Sequence, residues 1–431
     1  MRRGRVTPSG GDVRGKRVVV GVGGGIAAYK VCGLIRLLTE SGCHVDVVPT
    51  EAALRFVGSA TFEALSGNPV STGVFSDVPS VRHVALGQRA DLVVVAPATA
   101  DLLARVASGR ADDLLTSTLL TARCPVLLAP AMHTEMWEHP ATRRNVDTLR
   151  GDGLHVMPPA SGRLTGADTG AGRLPEPADI ARLAMLLLEG GGLPWDLAGK
   201  RVVVTSGGTR EEIDPVRFLG NRSSGKQGHA IAAVAAARGA EVTLVTSSDL
   251  PVPAAVEAVH IDSALELRAA TFAAAVRADV VIKAAAVADF RPTDVSSSKL
   301  KKGSGSEPAE IRLERNPDIL AELVAARGSG DIPADCVLVG FAAETGDSTG
   351  SVLEHGRAKL ARKGCDLLVV NEVGRGTTFG EDVNGGWILD ARGGEVPVDR
   401  ASKDRLAGRI LDSVVSMVAA PSARTATDRT D

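Results

Sequence analysis

Short apolar runs alternate with longer amphipathic stretches along most of this chain. In the first half the runs are Arg17 to Val22, His44 to Pro49, Asp91 to Ala96 and Cys124 to Ala129. In the second they are Arg201 to Thr205, Glu241 to Thr246, Asp279 to Ala285, Val337 to Ala342 and Asp366 to Val370. Runs this short, β-branched and poor in polar residues predict strands buried on both faces, as in a parallel sheet covered by helices. Helical patterns fill the gaps: from the turn at Gly21 to Lys30 on to about Ser41, then Ala100 to Ala122, His229 to Arg238, Ala264 to Arg277, Pro317 to Ala326, Glu354 to Lys363 and Lys403 to Val418. Strand–helix alternation predicts right-handed βαβ units. The fold class is therefore α/β, with two doubly wound, mainly parallel-sheet, Rossmann-like domains.

A chain of 431 residues is too long for one core. The boundary falls at EGGGLPWDLAGK, Glu189 to Lys200, where periodicity stops and Gly and Pro concentrate. The expected division is an arm over 1–16, a domain over 17–188, a linker over 189–200, a domain over 201–419 and a loose tail over 420–431.

Polar residues mark the strand ends, where open α/β sheets hold their ligands. In the first half these are the glycine turn at Gly21 to Lys30, Pro49-Thr50, APATAD (Ala96 to Asp101) and PAMHTEMW (Pro130 to Trp137). SGRLTGADTGAGRL, Ser161 to Leu174, is too glycine-rich for a core element and suits a mobile flap or an inert surface loop equally. The first turn lacks a strict GxGxxG, and Pro49-Thr50 stand where a ribose-binding acid would be. This disfavours a dinucleotide and favours a mononucleotide phosphate such as that of FMN. In the second half Thr205 to Gly228 carries two glycine loops with Arg210, Arg217, Arg222 and Lys226, a pattern suited to anions. The lysine loop Ser296 to Gly303 suits a triphosphate clamp, and Asp289 a hydrated divalent cation. Lys359 and Lys363, four apart on a helix, repel unless an anion lies between them. A lone histidine is more often structural, so His83 and His133 carry little weight by themselves.

The formal net charge of −2 excludes a global field that recruits nucleic acid or membrane. Aromatics at 3% leave few platforms for stacking bases. Five scattered cysteines with no CxxC argue against zinc and disulfides and for a reducing compartment, the cytoplasm. No apolar run is long enough to cross a membrane.

GVGGGIAAYK, His83 with LGQRADL, APATADLLARVASG, PAMHTEMW, TREEIDPVRFLGNRSSGKQG, AAAVADF, KLKKG, NPDIL, GFAAET and DLLVVNEV occur in one order. As a set they closely resemble the bifunctional coenzyme A biosynthesis family, phosphopantothenoylcysteine decarboxylase joined to phosphopantothenate–cysteine ligase, over roughly Arg17 to Val418. The resemblance implies a flavodoxin-like FMN domain followed by a ligase domain. The ligase would activate 4′-phosphopantothenate with CTP, and cysteine would attack the acyl-cytidylate. Asn221 would hold that intermediate. Lys283, Ala284, Ala285, Asp289, Lys299, Pro317, Asp318, Ile319, Leu320, Phe341, Lys359 and Lys363 would form the CTP site, with Lys299 catalytic and Asp289 near Mg2+.

For the decarboxylase, the resemblance implies FMN held by Gly23, Gly24, Gly25, Ile26, Pro49, Thr50, Ala98, Thr99 and Asp101. His83 would be catalytic, and His133, Met136 and the flap would hold the substrate. Its partners would be these small molecules and further copies of itself, with trimers of the flavin half, dimers of the ligase half and a dodecameric shell. Three departures stand out: His133 replaces the family's asparagine, Gly166 replaces the flap's proton-donating cysteine beside Thr165, and Gly23 replaces a common serine. Loss of the flap cysteine raises an alternative, an active ligase with a stalled flavin half or one that serves only as an assembly module.

Overall fold

The computed structural model describes residues 12–72, 81–163, 169–300, 310–344, 350–372 and 383–419. The chain divides into two units, residues 1–195 and 196–431. The terminal arm before residue 12, the tail after 419, Thr165, Gly166, Lys301 and Lys302 lie outside the described residues.

In the first unit, strands β1 (Arg17–Val22), β2 (His44–Pro49), β3 (Leu92–Ala98), β4 (Val126–Pro130) and β5 (His155–Val156) form one parallel sheet in the order β2-β1-β3-β4-β5. Strands β6 (Ala160–Arg163) and β7 (Thr169–Arg173) pair separately as an antiparallel ribbon. The helices are α1 (Ala28–Glu40), α2 (Ser59–Ser66), α3 (Arg82–Arg89), α4 (Ala100–Ala107), α5 (Leu114–Thr121), α6 (Thr134–Glu138), α7 (Pro140–Gly151) and α8 (Pro177–Leu188). All seven positions of β3 are buried, as its LVVVAPA sequence requires. Helix α1 buries Val31, Leu34, Ile35 and Leu38, a stripe at helical spacing.

Two expectations change here. The stretch Ala100 to Ala122 is two helices, because Gly109 turns left-handed (φ 68°) and Asp113 starts α5 with a capping box. The glycine-rich flap is a β-ribbon in its described parts, seated on the turn after β4 through Met132 N–H donating to Gly172 O at 2.9 Å.

The second unit runs in chain order β8 (Arg201–Ser206), β9 (Arg210–Asp214), β10 (Arg217–Gly220), α9 (Lys226–Ala237), β11 (Glu241–Thr246), β12 (Val256–His260), α10 (Ala264–Ala275) and β13 (Val280–Lys283). It continues with β14 (Phe290–Pro292), β15 (Leu313–Arg315), α11 (Ile319–Ser329), β16 (Val337–Glu344), α12 (Val352–Lys363), β17 (Leu367–Glu372), β18 (Val383–Asp390), β19 (Glu395–Ser402) and α13 (Lys403–Val418). Its main sheet has the order β12-β11-β8-β13-β16-β17-β18-β19, parallel as far as β17 and antiparallel beyond. The ribbons β9–β10 and β14–β15 stand apart from it. Helix α9 starts three residues before the expected His229, directly after the left-handed Gly225 (φ 77°). No helix among the described residues is long and apolar enough to cross a membrane.

Candidate functional site

In each unit the strand order reverses at one point, the place where such sheets bind ligands. In the first unit this is the gap between β1 and β3. A cleft of about 590 Å³ opens there, within the range of small-molecule sites. Gly23, Gly24, Gly25, Ile26, Thr50, Thr99, Asp101, His133 and Met136 all line it. Pro49 and Ala98 are buried at their strand ends and do not.

The glycine turn is tightly built. A Cβ on Gly23 would run into the Pro97 carbonyl oxygen, and one on Gly24 into Ala52. A serine at position 23 is therefore not accommodated unless the turn shifts. Helix α1 follows with no acid in its first turn, and helix-start amides without intrahelical partners favour an anion. The two threonines shape the walls. Thr50 Oγ1 donates to Val22 O at 3.2 Å and accepts from Ala53 N, and Thr99 Oγ1 accepts from Leu102 N.

The cleft also carries cations that the sequence reading did not single out: Lys30, Arg105, Arg163 and Arg173. Lys30 and Arg173 share Glu176, at 2.8 and 2.5 Å. Arg105 gathers Asp101, Asp112 and Asp113 at 3.0, 2.9 and 2.8 Å, so the Asp101 carboxylate is already engaged. The available signal for Arg173 was its place beside the flap glycines, which put it on the ribbon.

His83 does not line this cleft. It lies in the first turn of α3, after Val81 in the left-handed region (φ 42°), an uncommon conformation for a β-branched residue. Its Nδ1 is buried without a hydrogen-bond partner among the described residues, while its carbonyl accepts from Thr121 Oγ1 at 2.9 Å.

In the second unit the strand order reverses between β8 and β13. The segments beyond them are laced together. Thr205 Oγ1 accepts from Ala285 N at 3.1 Å, Gly207 O from Ala286 N at 2.8 Å, and Thr209 Oγ1 from Ala288 N at 3.0 Å. Asn221 joins this group, its Nδ2 donating to Val287 O at 2.8 Å. Its carbonyl crowds Gly208, where a Cβ would not fit.

Lys283, at the end of β13, is only 6% exposed, and its Nζ has no partner among the described residues. Burial, opposed by the charge of Asp318, pushes its pKa down to about 7. Ala284, Ala285, Pro317, Leu320 and Phe341 are half-buried around the ends of β13 and β16 and the start of α11. Ile319 is 2% exposed and belongs to the core, which leaves only its backbone for a ligand. Asp318 caps α11 through Ala321 N and pairs with Lys363. Lys359 pairs with Glu344 at 2.8 Å. The two lysines are thus separately neutralised, not a repelling pair awaiting an anion. Arg210 and Arg217, read as anion-suited, likewise face Asp249, Asp262 and Asp214.

Asp289 is exposed, and its carbonyl accepts from Asn316 N at 2.9 Å. Among the described residues no group of three or more His, Cys, Asp or Glu is arranged to hold a metal. Lys299 is exposed on the segment after β14.

Two family models match the chain, Flavoprotein over residues 6–187 and the DNA/pantothenate metabolism flavoprotein C-terminal domain over residues 197–418. The Coenzyme A biosynthesis bifunctional protein CoaBC of Mycolicibacterium smegmatis is 63% identical over 406 residues, covering 94% of this chain and 98% of the relative. The protein of the same name from Bacillus subtilis is 43% identical over 412 residues, covering 93% and 97%. Among solved structures, the C-terminal domain of a Coenzyme A biosynthesis bifunctional protein CoaBC is 36% identical with a TM-score of 0.42, covering 52% of this chain and 97% of that one.

Proposed function

The chain belongs to the bifunctional coenzyme A biosynthesis family, with ligase and decarboxylase activities in one polypeptide, and from that premise we propose how its residues divide the work. The reading with a stalled or purely structural flavin half is not favoured, because the likeness to bifunctional relatives runs through both halves.

The second unit activates 4′-phosphopantothenate with CTP, releasing pyrophosphate, and the cysteine amine then displaces CMP from the acyl-cytidylate. The observation that carries this is Lys283, a buried ammonium without a partner at the sheet's ligand-binding end. Such a group is costly unless something negative meets it. Nucleotide phosphates do so, and Lys299 adds an exposed cation during pyrophosphate release. Asn221, fixed beside Val287, holds the acyl-phosphate. Mg2+ commonly keeps its waters and binds through substrate phosphates with one or two carboxylates. The solitary carboxylate of Asp289 fits that pattern.

The first unit would hold FMN in the cleft at β1 and β3, where the glycine turn and the start of α1 suit its phosphate. The flavin supplies two-electron oxidation and its reversal, so that loss of the cysteine carboxylate is redox-neutral. Met136 and His133 orient the substrate, and His83 of a second copy, its own lying outside the cleft, moves a proton on it. No cysteine lines the cleft among the described residues, and we assign the last proton donation to His133, the imidazole in place of the family's asparagine.

Mass spectrometry of products from 4′-phosphopantothenoylcysteine tests the assignment. The wild-type protein accumulates 4′-phosphopantetheine over many turnovers. In His133→Asn, carbon dioxide is lost once per flavin, and the unreduced ene-thiol stays with the reduced flavin. Unchanged turnover in that variant removes His133 from the role. Pyrophosphate release with CTP and with ATP, compared in Lys283→Met and wild-type protein, tests the ligase half.

A further inference from the structure

The hairpin β9–β10 holds a buried carboxylate that the reaction as described does not use. Asp214 ends β9 with its side chain fully buried. It accepts from Val216 N at 2.8 Å and Arg217 N at 2.9 Å, and it pairs with the Arg217 guanidinium. It also reaches 86 residues along the chain to accept from Leu300 N at 3.1 Å. The same guanidinium donates to Leu300 O at 2.9 Å. Both backbone polar groups of Leu300 are therefore held by one ion pair. Four residues earlier, Ser296 N donates to Ile213 O at 3.1 Å, so the segment is tied to the hairpin at two points. Lys299 sits between these ties, its own side chain exposed. The guanidinium holds the Asp214 carboxyl well below the usual carboxylate range, keeping it a permanent acceptor.

We propose that Asp214 is a positioning residue for Lys299, acting through the Leu300 backbone with Arg217 as the second jaw. The proposal rests on the assignment of Lys299 to the CTP step. A lysine on a free loop must give up backbone freedom again at every turnover. Fixing the adjacent peptide removes much of that cost, and a misplacement of about 1 Å can cost about 10²-fold in rate. The bland reading makes Asp214 a turn residue that shapes its own hairpin. That role explains the bonds to Val216 and Arg217 but not the long-range one to Leu300.

Single-turnover pyrophosphate release from the full chain separates these readings, in wild-type protein, Asp214→Asn, Lys299→Gln and the double variant. The expected result is a loss of about 10- to 100-fold in Asp214→Asn, carried by the rate and not by the KM for CTP. The double variant is then no slower than Lys299→Gln alone, since residues acting through one another are not additive. Hydrogen exchange at Leu300 and its neighbours speeds up at least about tenfold in Asp214→Asn, with β13 unchanged. Arg217→Lys keeps the charge pair and loses one jaw, so it gives a smaller loss of the same kind and serves if Asp214→Asn fails to fold. Flavin absorbance of the first unit reports that the chain is intact. Effects that multiply in the double variant, or unchanged exchange at Leu300, overturn the proposal and leave the ligase assignment standing. Wild-type rates in Lys299→Gln overturn the assignment of Lys299 itself and the proposal with it.

Discussion

Lys283 makes a prediction at the scale of one side chain. Its pKa in the folded chain is about 7 against an ordinary 10.5. Below pH 7 the group is charged in both folded and unfolded states, and the folded state bears the full cost of burying it. Between about 7 and 10.5 the unfolded chain binds a proton that the folded chain does not, so stability rises with pH across that window. Lys283→Met removes this slope. Thermal unfolding of the second unit without nucleotide, followed from pH 6 to 9, therefore shows the variant more stable than wild type near pH 6 and the gap closing toward pH 9. The same variant loses CTP turnover by at least about tenfold, as loss of one charge-assisted contact implies. A variant with the wild-type pH slope would mean that this ammonium is solvated. Gly24 argues in the first unit. A Cβ there meets Ala52, and overpacking costs about 1–3 kcal/mol, so Gly24→Ala displaces the turn. The expected outcome is a weaker yellow protein, with flavin stoichiometry by absorbance falling before far-UV circular dichroism changes.

At the scale of elements, the helix α9 lies buried along almost its whole length, and seven of its twelve residues are alanine or valine. Gln227 Nε2, donating to Lys403 O at 3.1 Å, and His229 Nδ1, 3.1 Å from Ser206 Oγ, anchor its first turn, and Arg238 just past its end anchors the other. This guanidinium is 1% exposed and binds Asp196 at 2.6 Å and Asp412 at 2.8 Å, tying α9 to the start of the unit and to α13. Removing one partner of a buried ion pair costs about 3–5 kcal/mol. Arg238→Met lowers the denaturant midpoint of the second unit accordingly, while Asp412→Asn, whose acid is more exposed, costs far less. Equal losses would place the stability elsewhere. These elements also mark what could be read in the sequence. The strands β3 and β8 were legible because Val and Leu fill both their faces, and α13 because Leu406, Ile410, Leu411 and Val414 repeat at helical spacing. The edge strand β12 and the antiparallel pair β18–β19 were not, since VEAVH and EVPVD mix exposed charge with few apolar residues. The break between α4 and α5 was hidden because both helices are apolar and only Gly109 and Asp113 announce it.

At the scale of the molecule, the candidate cleft was largely legible, because strand ends and glycine turns are local signals that the sheet order brings together. The place of His83 was not, because no local pattern says which cleft a side chain serves. It stands outside the cleft of its own chain, with Nδ1 buried and unpartnered. The cleft mouth is meanwhile apolar and open, with Ile26 66% exposed, Tyr29 60% and Met136 47%. Clustered exposed apolar residues commonly mark a surface that something covers. Both facts are those expected of the decarboxylase site proposed above, completed by His83 of a second copy. Complementation tests this directly. His83→Asn and Gly24→Val are each expected to lack decarboxylase activity, for want of the histidine and of flavin respectively. Co-expressed in equal amounts, they form mixed rings in which some cleft from a His83→Asn copy meets the intact histidine of a Gly24→Val copy. Random assortment makes that half times half of all sites, so activity returns to about a quarter of wild type in a cyclic assembly with one site per interface. If histidine and cleft served each other within one chain, every site would carry one of the two lesions and the mixture would stay silent.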